Sequence, residues 1–167
     1  MERLWTPWRL AYVTEAGADR AGCIFCPAPG RLEADDLVVY EGRQFFVILN
    51  KFPYNSGHVM VVPRRHVGRL SDLEPAEVVE LGELAQGCER ALAEAYAPHG
   101  FNMGLNLGKP AGAGVLGHLH LHVVPRWDGD TNFMSVVGDT RVLPESLADA
   151  AARLRGVFAR VLARAGF

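Results

Sequence analysis

The sequence predicts an α+β fold, in which an antiparallel sheet of five strands carries two main helices. Three observations predict it: short apolar runs typical of strands, short turns between most of them, and two longer stretches with helical spacing that each begin near a proline. With 167 residues, of which 49% are hydrophobic and 22% charged, the chain resembles an ordinary globular protein. It is long enough to bury one core, and we expect a single domain.

The predicted strands follow one another with short or glycine-rich connections. Gly42-Arg43 joins the first pair, and the turn PYNSG joins the second strand to the third. The loop GKPAGAGVLG precedes the last strand, which Pro125 is expected to close. Because short connections favour antiparallel neighbours, the sheet should be antiparallel. The expected strands cover residues 37–41, 44–50, 57–62, 101–107 and 118–124.

Two helices are expected to cover this sheet. The first should start at about Pro75, a residue suited to a first helical turn, and run to about Tyr96. Pro144 should open the second helix. Helical spacing gives each helix an apolar stripe that should face the core. The first stripe comprises Val78, Leu81, Ala85, Cys88, Leu92 and Tyr96, and the second comprises Leu147, Ala151, Leu154, Phe158 and Val161.

Bulk properties exclude several classes of partner. A formal net charge of -2 gives no general attraction to nucleic acid or to an anionic membrane. The apolar runs are too short to span a bilayer, and the first residues lack the pattern of a signal peptide. Two of the three cysteines form a C-x-x-C pair rather than a disulfide framework. We therefore expect a cytoplasmic protein that binds neither nucleic acid nor membrane.

The segment HLHLHVV contains the strongest functional signal. In a strand, residues two apart share a face, so His118, His120 and His122 should line one face while the leucines enter the core. Imidazole has an ordinary pKa of about 6.5 and can act as nucleophile, base or metal ligand. The row could be a solvated face, a three-histidine catalytic zinc site, or a histidine nucleophile whose neighbours orient it.

Several segments resemble the histidine-triad (HIT) superfamily of nucleotide hydrolases and transferases. HLHLHVV resembles its signature, and FFVILNKFPYNSGHVMVVPRRH resembles its upstream strand pair. The opening LWTPWRLAYV, followed by CIFC, resembles a bacterial branch that includes diadenosine tetraphosphate phosphorylases. The resemblance implies one HIT domain and a homodimer whose sheet continues across the interface. It would comprise an N-terminal arm (1–35), a catalytic core (36–127) and a C-terminal extension with a helix (128–167).

The resemblance also implies a role for each histidine of the site. His120 would attack the α-phosphorus and form a covalent nucleotidyl-imidazole intermediate. His122 would contact the phosphate and stabilise developing charge. The backbone carbonyl of His118 would orient the His120 ring, and His58 would lie behind the row as a fourth histidine.

Substrate-binding residues are implied in two segments. Asn50 would bind the ribose, with Ile48 and Leu49 near the base pocket. Asn106 would bind phosphate or ribose, and the small residues of the following loop would let backbone N–H groups approach phosphate oxygens. Two glycines of that loop belong to this expectation: Gly108, and Gly114, which replaces the glutamine or serine common in the family. Which side chain steadies the leaving group stays open.

The pair Cys23 and Cys26 could be redox-active thiols or two unrelated cysteines. In related bacterial HIT proteins and galactose-1-phosphate uridylyltransferases such a pair binds zinc, and the resemblance implies His66 and His118 as its partners. Two cysteines and two histidines make a closed, structural zinc site. His118 would then have to reach a metal while His120 faces substrate, which a twist or bulge after Gly117 would allow.

The resemblance implies cleavage of dinucleoside polyphosphates, such as diadenosine tetra- or triphosphate, at the α-phosphate. The acceptor, water or orthophosphate, stays open. Hydrolysis of nucleoside phosphoramidates by the same residues is one alternative, and a nucleotide-binding module with little turnover is another. Structural zinc is the one cofactor implied, with no organic cofactor.

Overall fold

A computed structural model describes residues 22–26, 37–130 and 144–165. The elements in chain order are β1 (Val38–Glu41), β2 (Phe45–Leu49), β3 (Val59–Pro63), α1 (Pro75–Tyr96), β4 (Gly100–Leu105), β5 (Leu121–Arg126) and α2 (Leu147–Ala165), with 3-10 turns at Leu70–Asp72 and Lys109–Ala111. The strands form one antiparallel sheet in the order β1-β2-β3-β5-β4. The predicted α+β class, with five antiparallel strands and two main helices, is confirmed.

The sheet has two different faces because side chains alternate along each strand. On one face Val47, Val59 and Val123 pack against α1 and α2 in a core that includes Cys88, as predicted. On the other face Ile48, Met60 and Val62 form a smaller apolar cluster with Phe25. His122 lies on the second face, since it pairs with Met60 across the β3–β5 ladder. The rings of His118 and His120, which precede β5, lie on the same side against Phe25.

The start of α1 differs from the predicted apolar stripe at one position. Val78 was expected to face the core, but 48% of its surface is exposed. Two buried glutamates take the inward positions instead. Glu77 binds Arg65 and the Glu74 N–H, and Glu80 accepts the backbone N–H of Gln44 in the β1–β2 turn. Polarity alone does not exclude these glutamates from the interior, because each finds hydrogen-bond donors there.

The second helix begins three residues later than predicted. It starts at Leu147 rather than at Pro144. Ser146 precedes it, and the Ser146 hydroxyl oxygen accepts the Asp149 N–H at 3.2 Å. A serine in this position satisfies an otherwise unpaired amide of the first turn. The apolar stripe itself is confirmed at Ala151 and Leu154, both of which are fully buried.

The last strand also lies further along the chain than predicted, at 121–126 instead of 118–124. Gly117 has a positive φ of 77°, and the Leu119 N–H donates to the Val67 carbonyl rather than to a neighbouring strand. Pro125 was expected to close the strand but lies within it. The β3–β5 ladder ends at Val123, and the Pro125 carbonyl accepts from the Asn55 side chain. The nitrogen of Pro125 points to that same side of the strand, where β3 no longer pairs, so the missing N–H breaks no ladder.

Among the described residues, none of the helices is long and apolar enough to cross a membrane. The segment LWTPWRLAYV lies outside the described residues, as does most of the proposed N-terminal arm, of which residues 22–26 are described. Residues 131–143 of the proposed C-terminal extension lie outside them as well.

Candidate active site and metal centre

His120 lies at the centre of the site with its ring held by one hydrogen bond. Its Nδ1 is 2.8 Å from the backbone carbonyl oxygen of His118. A carbonyl can only accept, so Nδ1 carries the hydrogen and donates it. The neutral ring then has its lone pair on Nε2. The residue is buried, so this nitrogen is held in one orientation with a lone pair of the kind that a histidine nucleophile uses.

His122 and His58 form a second pair whose protonation is set by a backbone amide. The Tyr54 N–H donates to His58 Nδ1 at 3.1 Å. In the neutral ring His58 Nε2 must then carry the hydrogen, and it lies 2.9 Å from His122 Nδ1. His122 Nδ1 is therefore the acceptor, which leaves a hydrogen on His122 Nε2. The chain of bonds makes His122 a donor toward the site.

Burial keeps the histidines of the row neutral. It lowers the pKa of His120 below its ordinary value, although the hydrogen bond to the His118 carbonyl acts in the opposite direction. Burial, together with the charge that His120 can carry, lowers the pKa of His122 to about 4. A charged imidazole loses hydration energy when it is buried. Near pH 7 both rings are therefore neutral, with a lone pair on His120 Nε2 and a hydrogen on His122 Nε2.

The lowered pKa of His122 has a consequence for stability. Between pH 6.5 and pH 4 the unfolded chain binds a proton at His122 that the folded chain does not, so stability is complete above pH 6.5 and falls as the pH falls. The free energy of unfolding should drop by about 2 kcal/mol between pH 7 and pH 5 through this group. Denaturant titrations of the wild type and of His122→Gln should differ by that amount. Other effects of acid on stability are common to both proteins. If the free energy of unfolding changed equally with pH in both, the expectation would be contradicted.

Phe25 forms an apolar wall beside the row. It lies between the two cysteines of the C-x-x-C pair, and its ring centroid is 5.5 Å from those of both His118 and His120. It is buried in the same cluster as Ile48 and Met60. The segment with the cysteines is thus in direct contact with the candidate nucleophile.

The residues expected near the sugar and base lie on both faces of the sheet. Asn50 is close to His58, and its Oδ1 accepts the Phe52 N–H at 2.9 Å. Ile48 faces the histidine side, in the cluster with Phe25. Leu49 faces the helices and is 1% exposed. The alternation along β2 separates these two neighbours.

The loop expected to contact phosphate begins just after β4. Asn106 follows that strand and is half-buried, and Gly108 adopts a φ of 84° that favours glycine. The amides of residues 111–113 are already used in hydrogen bonds within the loop. Gly114 is half-buried, and the next residue, Val115, packs against the apolar cluster beside the histidines. The loop is thereby anchored at the site.

The two cysteines lie beside two histidines, and their ligand atoms all lie within 4.8 Å of one another. Cys23 Sγ is 3.3 Å from His118 Nδ1, and Cys26 Sγ is 3.1 Å from His66 Nδ1 and 3.4 Å from His118 Nδ1. Tetrahedral zinc bonds of about 2.0–2.3 Å require ligand atoms roughly 3.3–3.8 Å apart. The donor set is that of a zinc site, and the three separations of 3.1–3.4 Å lie at or just below the short end of this range.

The chemistry of these four ligands also suits a cation. His118 Nε2 is 2.8 Å from the Pro63 carbonyl oxygen, so Nε2 donates and the lone pair of Nδ1 points at the cysteines. Burial lowers the pKa of His118, which keeps that lone pair available. Burial and the neighbouring Cys23 raise the pKa of Cys26, so a thiolate there calls for a nearby positive charge.

The arrangement separates the two roles expected of His118. Its ring points to the cysteines, while its backbone carbonyl holds His120. The positive φ of Gly117 precedes this change of direction, in line with the expected twist. Among the described residues the metal-type cluster includes neither His120 nor His122, so the structure does not form a three-histidine zinc site.

Three residues at the site were not singled out in the sequence. Tyr54 acts through its backbone amide and Phe25 through its position between the cysteines. Asp130 gathers hydrogen bonds from Arg126 and Asn55. The sequence carries a signal for Phe25, since an apolar residue inside a C-x-x-C pair has to bury its ring. No local pattern marks the other two.

Known proteins resemble this chain in both sequence and structure. The HIT domain family matches residues 31–129. The chain is 42% identical over 167 residues to an AP-4-A phosphorylase of Mycobacterium tuberculosis, with 96% of this chain and 86% of that protein covered. It is 32% identical over 93 residues to an asymmetrical bis(5'-nucleosyl)-tetraphosphatase of Schizosaccharomyces pombe, with 56% of this chain and 50% of that protein covered.

A solved structure also resembles this chain. A Zn-bound histidine triad family protein from Mycobacterium smegmatis superposes with a TM-score of 0.62 at 28% identity, covering 92% of this chain and 96% of that one. The resemblance inferred from the histidine row is confirmed. The family match spans more than half of the chain, and the buried histidine row lies within it. This chain belongs to the HIT domain family.

Proposed function

We propose that the protein is a diadenosine tetraphosphate phosphorylase that transfers an adenylyl group through His120 to orthophosphate. One observation carries the proposal: the hydrogen bond from His120 Nδ1 to the His118 carbonyl leaves a buried Nε2 lone pair as nucleophile. The 42% identity to an AP-4-A phosphorylase over nearly the whole chain supports the substrate and the acceptor.

In the first step His120 Nε2 attacks the α-phosphorus of one adenylate. A nitrogen–phosphorus bond forms, the bond from the α-phosphorus to the bridging oxygen breaks, and ATP leaves with the electron pair. The ring then carries a positive charge, because Nδ1 keeps its hydrogen. The His118 carbonyl, 2.8 Å away, stabilises that charge. A phosphate leaving group has a low pKa and needs no general acid.

In the second step an oxygen of orthophosphate attacks the same phosphorus from the opposite side. A new phosphorus–oxygen bond forms, the nitrogen–phosphorus bond breaks, and ADP leaves. The attacking phosphate releases its proton, so the overall products are ADP, ATP and one proton. His122 Nε2–H donates to a nonbridging oxygen in both steps, where negative charge is greatest.

The substrate contacts follow from the placement of the residues. The Asn50 amide would bind the ribose, and Asn106 with the loop at Gly108 and Gly114 would contact phosphates. A base bound on the histidine face would contact Ile48 rather than Leu49, which faces the helices.

The cysteine–histidine cluster would hold one structural zinc ion through Cys23, Cys26, His66 and His118. A bound zinc would supply a closed crosslink with no open position for substrate. Residues around the cluster position the His120 ring. The 23–26 segment presses Phe25 against His120, and His118 presents its carbonyl. Thiols in such a site need reducing surroundings, in keeping with the expected cytoplasmic location.

A homodimer is part of the proposal. Among the strands that the structure describes, β4 is at an edge of the sheet, with β5 as its neighbour on one side. Met103 on this strand is 41% exposed. An exposed edge strand with an apolar residue is a surface on which a second copy could continue the sheet.

Product analysis with diadenosine tetraphosphate tests the function. Incubation with ³²P-orthophosphate should give ADP and ATP, with the label in ADP and none in ATP. Without phosphate no ADP should form, and ATP should be limited to one equivalent per active site. AMP and ATP formed regardless of phosphate would identify a hydrolase, as the similarity to a tetraphosphatase allows. Cleavage of adenosine phosphoramidate alone would identify the phosphoramidate hydrolase. Nucleotide binding without products would identify a binding module.

A further inference from the structure

The loop after β5 is tied to the turn before His58 by a cluster of polar side chains. Asp130 is the centre of this cluster. Its Oδ2 accepts the Arg126 Nε–H at 2.5 Å and the Asn55 Nδ2–H at 2.8 Å, and its Oδ1 accepts the Arg126 Nη2–H at 2.8 Å. The Trp127 N–H also donates to Oδ2. Arg126 lowers the pKa of Asp130, so the carboxylate is charged at neutral pH.

Asn55 connects this cluster to the catalytic histidines. The side-chain amide of Asn55 also donates to the Pro125 carbonyl at 3.1 Å. The backbone carbonyl of Asn55 accepts the His58 N–H at 3.2 Å. The residue before it, Tyr54, donates its N–H to His58 Nδ1. The turn that sets the protonation of His58 is therefore held at one end by Asp130.

These contacts close a ring of hydrogen bonds. The ring runs from Asp130 to Asn55, through the Tyr54 amide to His58, and from His58 to His122. His122 and Arg126 lie on the same strand, β5, and Arg126 returns to Asp130. Because this ring is closed through β5 and the charged Asp130 carboxylate, it holds the turn that contains Tyr54 and Asn55 in one conformation.

We propose that Asp130 and Asn55 are positioning residues that select the hydrogen-donating form of His122 by keeping the Tyr54 amide on His58. This rests on the proposed function insofar as His122 has to donate to the substrate phosphate. Neither residue touches the reacting atoms in this account.

The physical reason is that His58 and His122 can exchange roles. If the Tyr54 amide moves away, His58 can place its hydrogen on Nδ1 and accept at Nε2. His122 Nδ1 then carries the hydrogen and donates to His58, which leaves His122 Nε2 with a lone pair directed at the phosphate. A lone pair facing an anion repels it, so the site loses a donor where charge develops.

The test compares Asp130→Asn with the matched control Asp128→Asn in the full-length, zinc-loaded protein. The change is the same and lies in the same loop, but the Asp128 side chain is 95% exposed and faces His99. Long-range ¹H–¹⁵N spectra of histidine-labelled protein report which ring nitrogen of His58 and His122 carries the hydrogen. Steady-state kinetics give kcat and KM.

In the wild type and in Asp128→Asn we expect His122 to carry its hydrogen on Nε2. In Asp130→Asn we expect a second population with the hydrogen on Nδ1 and a fall in kcat of roughly 10- to 100-fold, as for other orienting partners. KM should change less. A lower kcat with unchanged ring protonation would overturn the proposal, as would an Asp128→Asn variant that behaves like Asp130→Asn.

Asn55→Ala provides a second route if Asp130→Asn fails to fold. It removes the tether but keeps the backbone carbonyl that binds the His58 N–H. It should show the same second population, and unchanged ring protonation would overturn the proposal. The spectra need no substrate. If the wild type fails to cleave diadenosine tetraphosphate, the proposed function is wrong, while the spectra still decide whether Asp130 and Asn55 set the form of His122.

Discussion

Replacing His120 with asparagine should lower kcat for diadenosine tetraphosphate by roughly 10⁴- to 10⁶-fold, the range observed when one member of a catalytic triad is removed from a hydrolytic enzyme. Asparagine can keep a hydrogen bond to the His118 carbonyl but has no lone pair able to attack phosphorus. Substrate affinity, measured by calorimetry on the inactive variant, should change little. The loss would then lie in the chemical step.

The covalent intermediate provides the decisive measurement. Mass spectrometry of wild type quenched early, in the absence of orthophosphate, should show an adduct with the mass of one adenylyl group. His120→Asn should show none, and the control His99→Asn, a change at an exposed histidine, should show the wild-type adduct. An adduct on His120→Asn, or unchanged turnover, would exclude His120 as the nucleophile.

Replacing Cys23 and Cys26 with serine should remove bound zinc and destabilise the fold. Zinc that binds the folded chain alone contributes about 4 kcal/mol when its free concentration is roughly 1,000-fold above its dissociation constant. The loss should extend to catalysis, because the same segment holds Phe25 against His120 and the same residue, His118, presents the carbonyl. Metal content by elemental analysis and unfolding by denaturant would measure both effects.

Cys88→Ala is the matched control for this experiment, since it removes a thiol that is buried in the helix-side core and lies outside the cluster. It should keep one zinc per chain and cost only the stability expected of a small core change. Full zinc content in the double serine variant would contradict the proposed ligands. A metal-free protein of unchanged stability would contradict the structural role.

Local patterns were sufficient for the elements and for the residue types of the site. The two-residue spacing predicted that the three histidines lie close together, although only His122 belongs to the strand. The bounds of α1 were predicted from a proline and helical spacing. The C-x-x-C pair pointed to a metal site, and its partners followed from the family resemblance. These signals lie within a few residues of one another, where backbone geometry alone relates the side chains.

Other features depend on contacts between distant parts of the chain. Glu80 lies inward because the β1–β2 turn presents backbone amides to its carboxylate. Val78 is exposed for that reason, although its hydrophobicity predicted a place in the core. The shift of β5 follows from the bond between Leu119 and Val67 and from the end of the β3 ladder. No periodicity within a single segment contains this information.

The order of residues determined that this chain has a row of histidines, a cysteine pair, five strands and two helices, because spacing and side-chain type are local properties. The tertiary structure alone decided which nitrogen of each histidine is available. His118 points its Nδ1 at Cys23, which is 95 residues away in the chain, and His122 accepts from His58, 64 residues away. A hydrogen on an imidazole goes to the nitrogen whose neighbour accepts it, and those neighbours meet only when the chain has folded.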